Sequence, residues 1–396
     1  MQLVRKLYIG RNRQLDELAR AAGELYTRTM LTYWRIVRRK GHFLSSAAME
    51  RICNSNKIHS HSADAVVQSY YAALKSGYTR KGIDPTSRLP RKARTYYIVQ
   101  WKKSAIKVKN DKLVLANGRG NEPLIIPWSR RDVPIFITMA FQQGQYILLP
   151  VYKVPKRAEP IGELVAGVDL GEIHSAAVFD SEKAYLVNGR LLRSKRQYRN
   201  KLIGTMQKKM STKKKGSKQH KKLQKSLNKQ LNKIKHQERD IQHKQTTEII
   251  STLYKNGVQT LAIGDIRELR KTGKRFHKKS SQKIHQMNSG KVRQLLTYKA
   301  KLAGMSVVLV NEAYTSQECP RCDKRTKPTN RNYVCRHCKA KFHRDFVGAY
   351  NIWKKYHGKG HVVGVMASPI SMRHSPHMKC SLSFQNRETA RKNPCN

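Results

Sequence analysis

Apolar positions fall into distinct regimes along the chain. From Gln14 to about Ser76 they recur at helical spacing, first Leu15, Leu18, Ala22, Leu25, Tyr26, Met30 and Tyr33, then Ala63, Val67, Tyr70, Tyr71 and Leu74. Arg and Lys fill much of the remainder, so a small helical module with basic faces is expected, its aromatic rings packed inside. A short strand, Leu3–Ile9, precedes it. Between Arg94 and Val154 the period drops to two. Tyr96–Trp101, Ala105–Val108, Leu113–Ala116, Leu124–Ile126, Ile135–Phe141 and Gln145–Val151 alternate or run apolar, with turns at Lys109-Asn-Asp, Asn117-Gly and Asn121-Glu-Pro. Short strands at this spacing predict a compact β-barrel closed by the N-terminal strand.

At Val165 the character changes again. Val165-Ala-Gly-Val-Asp-Leu-Gly reads as a buried strand ending in a carboxylate, and Ser175–Phe179 as its antiparallel return. From Lys183 to Gln237 there is no acidic residue, yet Leu202, Met206, Met210, Leu223, Leu227, Leu231 and Ile234 keep a loose helical period. Two basic helices joined at Ser211–Ser217 are predicted, the second running on through Thr246–Tyr254 and stopping at Asn256-Gly. Thr260–Ile263 is a further buried strand, Arg267–Asn288 a basic loop, Val292–Ala303 a helix, Met305–Val310 a strand and Asp345–Trp353 a last helix. After Lys359 the chain turns polar and reads as a flexible tail.

Between that last strand and helix lie two Cys-x-x-Cys knuckles, Cys319/Cys322 and Cys335/Cys338, separated by twelve residues. Each can offer two thiolates from one tight turn, and the intervening segment is long enough for a hairpin that brings the pairs together. The spacing predicts a zinc ribbon inserted in a larger domain, with one structural Zn²⁺ and no open ligand position. His337, inside the second knuckle, reads as a solvated loop residue. Cys53, Cys380 and Cys395 are scattered, so no disulfide framework is expected and the setting is a reducing, intracellular one.

Charge narrows the partner. Lys plus Arg number 81 against 25 Asp plus Glu, a formal +56, and so much self-repulsion calls for an anionic partner. No stretch approaches the roughly 20 apolar residues of a spanning helix, and the opening MQLVRKLYIG has no signal-peptide core. A nucleic acid is expected rather than a membrane.

Strand, return strand, long helical insertion, strand, helix, strand, ribbon, helix is the order of a ribonuclease H-like α/β fold. Such folds gather carboxylates at the ends of central strands. Two-ion hydrolysis of a phosphodiester uses Mg²⁺ ions about 3.5–4 Å apart, held by oxygen ligands. Asp169, ending the first strand, and Asp345, opening the last helix, fit that role. Each alone reads as a turn or cap residue; the pair in this order reads as a metal site.

The stretches GVDLG, IGDI, AYTSQECPRC, YVCRHC and HRDFVGAYNI resemble the RuvC core of the TnpB family, transposon-encoded RNA-guided DNA nucleases related to Fanzor proteins and type V CRISPR effectors. The resemblance is specific from about Val165 to Trp353 and looser over residues 1–160. It implies an α/β RNase H-like (RuvC) nuclease core with an inserted zinc ribbon, plus an N-terminal helical recognition module and a β-barrel wedge domain. The expected layout is a wedge strand at 1–10, the recognition module at 11–93, the wedge at 94–160, the core at 161–313, the ribbon at 314–342, the final core helix at 343–358 and a flexible basic tail at 359–396. It further implies a guide RNA from the transposon end, double-stranded target DNA cut beside a short flanking motif, a monomer on one RNA, and a cytoplasmic, nucleoid-associated place in a prokaryotic host. In that likeness Asp345 is the last metal-binding aspartate and Asn351 the family's asparagine.

One departure stands out. The family's second core strand reads Ile-Glu-Asp-Leu, its Glu being the third metal ligand; here Ile263-Gly264-Asp265-Ile266 has glycine instead. Asp265 is a poor replacement, because one step along a strand turns the side chain to the other face, and Glu268 lies beyond the strand. Glu312, ending the neighbouring strand, can reach the space glycine leaves, as in family members with a relocated glutamate. The expected catalytic and Mg²⁺-binding set is therefore Asp169, Glu312 and Asp345. The alternative is a nuclease-dead, RNA-guided DNA-binding repressor of the same fold, with Glu312 at the rim.

Overall fold

The computed structural model describes residues 2–358 other than 131, 143, 155–159, 161, 266–280 and 283–284, together with 370–372. The chain divides into two compact units, Met1–Pro155 and Lys156–Asn396. No helix among the described residues is long and apolar enough to cross a membrane.

The first unit is built on helices α1 (Arg13–Lys40), α2 (Ser46–Ile52) and α3 (Ser60–Ile83). Asn12 caps α1, its side-chain oxygen accepting from the Leu15 N–H at 2.8 Å, and Gly41 ends it in the left-handed region at φ 64°. The stripe read from the sequence is the buried face: Leu15, Leu18, Ala22, Leu25, Tyr26, Met30 and Tyr33 of α1 meet Ala63, Val67, Tyr70 and Leu74 of α3. Tyr26, Tyr33 and Tyr71 pack around Tyr70 within this core.

The strands of this unit are β1 (Gln2–Val4), β2 (Leu7–Gly10), β3 (Val99–Lys102), β4 (Ile106–Lys109), β5 (Lys112–Leu115), β6 (Leu124–Pro127), β7 (Phe136–Gln142) and β8 (Gln145–Lys153). Two expectations need correcting. The N-terminal strand is two strands, both antiparallel to β8, parted where Arg5 faces Pro150, which has no N–H to give and accepts from the Arg5 N–H at 3.0 Å. The strands also do not pair into one closed barrel among the described residues. They form a five-stranded sheet of β1, β2, β8, β7 and β3 and a separate three-stranded sheet, β4-β5-β6, sharing one core around Trp101 and Leu113.

The second unit is a mixed six-stranded sheet in the order β13-β12-β9-β10-β11-β16. Its strands are β9 (Leu164–Asp169), β10 (His174–Phe179), β11 (Ala184–Asn188), β12 (Val258–Asp265), β13 (Ser306–Asn311) and β16 (Ile370–Met372). β10 runs antiparallel to both β9 and β11; β12 is parallel to β9 and β13 parallel to β12. The long insertion forms α4 (Arg190–Ser211) and α5 (Lys218–Lys255), and α6 (Ser289–Leu302) connects β12 to β13. The hairpin β14 (Asn332–Val334) and β15 (Lys341–His343) runs into α7 (Arg344–His357).

Here too the sequence reading needs amendment. Residues Ala184–Asn188, taken into the basic helical insertion, are the third core strand. Asp180 Oδ1 accepts from the Glu182 and Lys183 N–H groups and Ser181 adopts φ 78°, which turns the chain back tightly. Three tail residues, Ile370–Met372, form an edge strand beside β11; the rest of the tail and most of the Arg267–Asn288 loop lie outside the described residues.

Alternation along β9 and β12 sorts the side chains between two cores. Ala166, Val168, Leu261 and Ile263 face α5 and α6, whereas Val165 and Ala262 face α7 and the ribbon. Gly167 lets α7 settle onto this second face: a Cβ there would lie 2.7 Å from the Trp353 N.

Candidate metal centres

The four ribbon sulfurs converge. Cys319 and Cys338 lie 3.6 Å apart and Cys322 and Cys335 3.5 Å apart, and all four ligand atoms fall within 4.8 Å of one another. His337 is exposed and is not one of the four. The two knuckles repeat one local geometry. In the first, the Asp323 N–H donates to the Cys319 carbonyl and the Cys319 N–H to Lys324; in the second, Lys339 donates to Cys335 and Cys335 to Ala340. Asp323 and Lys339 both take positive φ, 60° and 58°. Backbone N–H groups of Arg321 and Cys322 aim at the Cys319 sulfur, and those of His337 and Cys338 at Cys335. Four thiols held by convergent backbone donors fit one tetrahedral cation. Tyr333, fully buried beneath, donates from its hydroxyl to the Gln317 carbonyl at 3.0 Å and ties β14 to the first knuckle.

The carboxylates are assembled by the sheet. Ile263 lies opposite Val168, so Gly264 comes level with Asp169; Gly264 in turn lies opposite Val310, two residues before Glu312. Asp169, Gly264 and Glu312 thus share the face covered by α7. The absent side chain at 264 is replaced in space: a Cβ built on Gly264 would overlap the Glu312 carboxylate, 2.6 Å from its Cδ. On the other side Asp169 lies against Gly348 of α7, where a Cβ would stand 3.0 Å from its Cγ. Asp265 belongs to the opposite face and forms an ion pair with Arg293 of α6, 2.7 Å. Glu268 lies outside the described residues.

Electrostatics sets these groups apart from ordinary surface acids. Burial, then the charge of Asp345, raises the Asp169 pKa. Burial, then Asp169 and Asp265, raises that of Glu312 against the pull of Lys355. Glu312 Oε1 is buried and has no hydrogen-bond partner among the described residues. Two neighbouring buried carboxyl groups that oppose each other's ionisation, one with an orphaned oxygen, form a donor set that a hard cation would satisfy.

Asp345 is held differently. Burial raises its pKa, but the His174 hydrogen bond and the charges of Arg331, His174 and His343 outweigh burial and lower it overall. His174 Nδ1 lies 2.7 Å and Arg331 Nη1 2.8 Å from the same oxygen, Oδ2. Among the described residues Asp345 therefore clusters with His174 and His343, and the three carboxylates do not form one set of ligand atoms within 4.8 Å. Asp169 is the member linked to both others, since Asp345 raises its pKa and it raises that of Glu312, so the three are described as a row, Glu312–Asp169–Asp345, rather than as a single cage.

Asn351, buried on α7, donates to the Thr315 and Glu318 carbonyls at 2.7 and 2.8 Å. Thr315 in turn donates from N–H and hydroxyl to the Glu312 carbonyl. Lys355 reaches the Asn311 and Ala313 carbonyls on either side of Glu312. The sequence reading did not find Gly348, Lys355, His174 or Arg331. Gly348 had a local signal, lying one helical turn after Asp345 on the same face; the other three had none.

Comparison with known proteins agrees with this architecture. A family model described as "Probable transposase" matches residues 149–270, and one described as "Cas12f1-like, TNB domain" matches 290–352. A TnpB-like protein of Methanocaldococcus jannaschii is 29% identical over 122 residues, 31% of this chain and 44% of that protein. The CRISPR-associated endodeoxyribonuclease Cas12f1 of Sulfoacidibacillus thermotolerans is 25% identical over 195 residues, 48% of this chain and 44% of its own length. The matched region spans less than half of each of these relatives. In fold, the chain resembles the Cas12f1 chain of a cryo-EM Cas12f1–sgRNA–target DNA complex, with TM-score 0.60 at 13% identity, covering 85% of this chain and 81% of that one.

Proposed function

Because this chain belongs to the TnpB family, we propose that it is an RNA-guided DNA endonuclease of the RuvC type. It binds a transposon-end guide RNA and cuts target DNA beside a short flanking motif. The observation that carries the reading is Glu312, whose carboxylate fills the space above Gly264 beside Asp169. In this reading the family glutamate missing from β12 is supplied by the residue that follows β13.

In this reading Asp169, Glu312 and Asp345 hold Mg²⁺, Asp169 standing between the other two. Bound there, the ions would activate water and stabilise the leaving oxygen of a phosphodiester. The protein's own contribution is orientation. Burial strips water from the two raised carboxyl groups, α7 fixes Asp169 through Gly348, and Asn351 and Lys355 fix the backbone carrying Glu312. The four cysteines hold a structural Zn²⁺ that ties the turn after Glu312 to the hairpin before Asp345. The basic helices α4 and α5 supply phosphate contacts, and residues 11–93 and 94–160 serve as recognition and wedge parts.

The test is plasmid cleavage by the full chain co-expressed with transposon-end RNA, in Mg²⁺. Guide-dependent cutting is expected, lost in EDTA, and RNA affinity should fall steeply with salt as counterions are released. A protein that binds guide and target but never cuts is the repressor instead. A stable preparation with no affinity for RNA sinks both readings.

A further inference from the structure

We propose that Arg331 and His174 are positioning residues for Asp345, and that Arg331 couples the sulfur site to the carboxylate site. The inference rests on the reading of Asp345 as an ion ligand. Both donors sit on one oxygen: His174 Nδ1 at 2.7 Å and Arg331 Nη1 at 2.8 Å from Oδ2. With Oδ2 held, rotation of the carboxylate is blocked and Oδ1 is the oxygen left to ligate. The two donors come from different parts of the unit. His174 opens β10, with His343 packed edge-on against it at 5.2 Å. Arg331 stands on the ribbon, immediately before β14, which runs straight into Cys335.

The backbone makes this connection short and stiff. The Arg344 N–H donates to the Arg331 carbonyl at 2.8 Å, and Asn332 lies opposite His343 in the hairpin. Arg331 therefore touches Asp345 through its side chain and the residue before Asp345 through its backbone. The first knuckle makes the matching connection to Glu312, since Asn351 binds the Glu318 carbonyl next to Cys319 and the Thr315 carbonyl next to the Glu312 turn. An ion held by the sulfurs fixes both ends of the carboxylate row, and coupling of this kind is reciprocal.

The competing idea is that Arg331 merely repels cations from Asp345, and the two predict opposite signs. Mn²⁺ binding to the RNA-free full chain, read by electron paramagnetic resonance, distinguishes them. With zinc content and melting temperature unchanged, Arg331→Ala should weaken Mn²⁺ binding roughly tenfold to a hundredfold, the usual effect of losing a partner that orients a ligand. Arg331→Gln, which keeps a donor without the charge, should recover much of the loss, as should His174→Asn relative to His174→Ala. Stripping zinc by dialysis against a chelator should weaken Mn²⁺ binding at least as much, and returning zinc should restore it. Tighter Mn²⁺ binding in both Arg331 variants overturns the proposal, as does no change in any of them or in zinc-stripped protein. If wild-type protein binds no Mn²⁺, or binds it unaltered in Asp169→Ala and Asp345→Ala, the carboxylate reading itself has failed.

Discussion

The ribbon and the carboxylate row are both suited to holding cations, yet they are built in opposite ways. The ribbon draws its four ligands from one short stretch, by repeating a single turn with a left-handed residue at Asp323 and again at Lys339. Its geometry is local, so changing one knuckle should damage the ribbon first. The row draws on β9, the end of β13 and the start of α7, and no two of its members are neighbours in sequence. Sheet register and a helix packed at glycine distance decide whether it forms. A local site survives insertions elsewhere; a distributed one can take a ligand from a neighbouring strand, the exchange proposed here for Gly264 and Glu312, whose carboxylate fills the space a side chain at 264 would need.

The largest effect is expected where the distributed site loses a ligand. Glu312→Ala should reduce DNA cleavage to background, as completely as Asp169→Ala or Asp345→Ala, while guide-directed binding in a gel-shift assay persists. If Glu312→Ala cuts as well as wild type, the third ligand is elsewhere. In the ribbon, Cys319→Ser should release most of one zinc equivalent by metal analysis and lower the melting temperature of the second unit. Full zinc occupancy in that variant would refute the four-sulfur assignment.

Smaller effects probe the close approaches. Gly264→Ala and Gly348→Ala each force a methyl group into a neighbouring carboxylate and should cost about 1–3 kcal/mol by urea denaturation. In a Glu312→Ala background the cost at Gly264 should largely disappear, while that at Gly348 stays. Equal costs at Gly264 in both backgrounds would separate it from Glu312. Gly264→Glu in the same background should return part of the cleavage, because it restores a carboxylate to β12. The mildest change is Asp265→Ala. Asp265 lies on the other face, paired with Arg293, so cleavage should stay within a few-fold of wild type.

Much of this molecule was legible from residue order alone. Periodicity gave the long helices of both units and most of the sheet strands, because burying one face imposes a period of 3.6 or 2 on the apolar residues. The third core strand, Ala184–Asn188, escaped because five residues beside a long acid-free stretch carry too little pattern to outweigh their surroundings. The division of the first unit into two sheets escaped because alternation says which face is buried and not which strand lies alongside.

Sequence by itself determined the two knuckles, each of which pairs its cysteines across one tight turn, and the basic character that calls for a polyanion. It also determined which residues of β9, β12 and β13 share a face, since alternation needs only a count of positions. Tertiary structure decided the rest. Only the parallel register of β12 with β9 and β13 brought Gly264 level with Asp169 and under Glu312, and only the packing of α7 set Gly348 against Asp169. His174 and Arg331 met on one oxygen of Asp345 for the same reason. Contacts between residues far apart in the chain depend on how sheets and helices stack, and no local propensity encodes that.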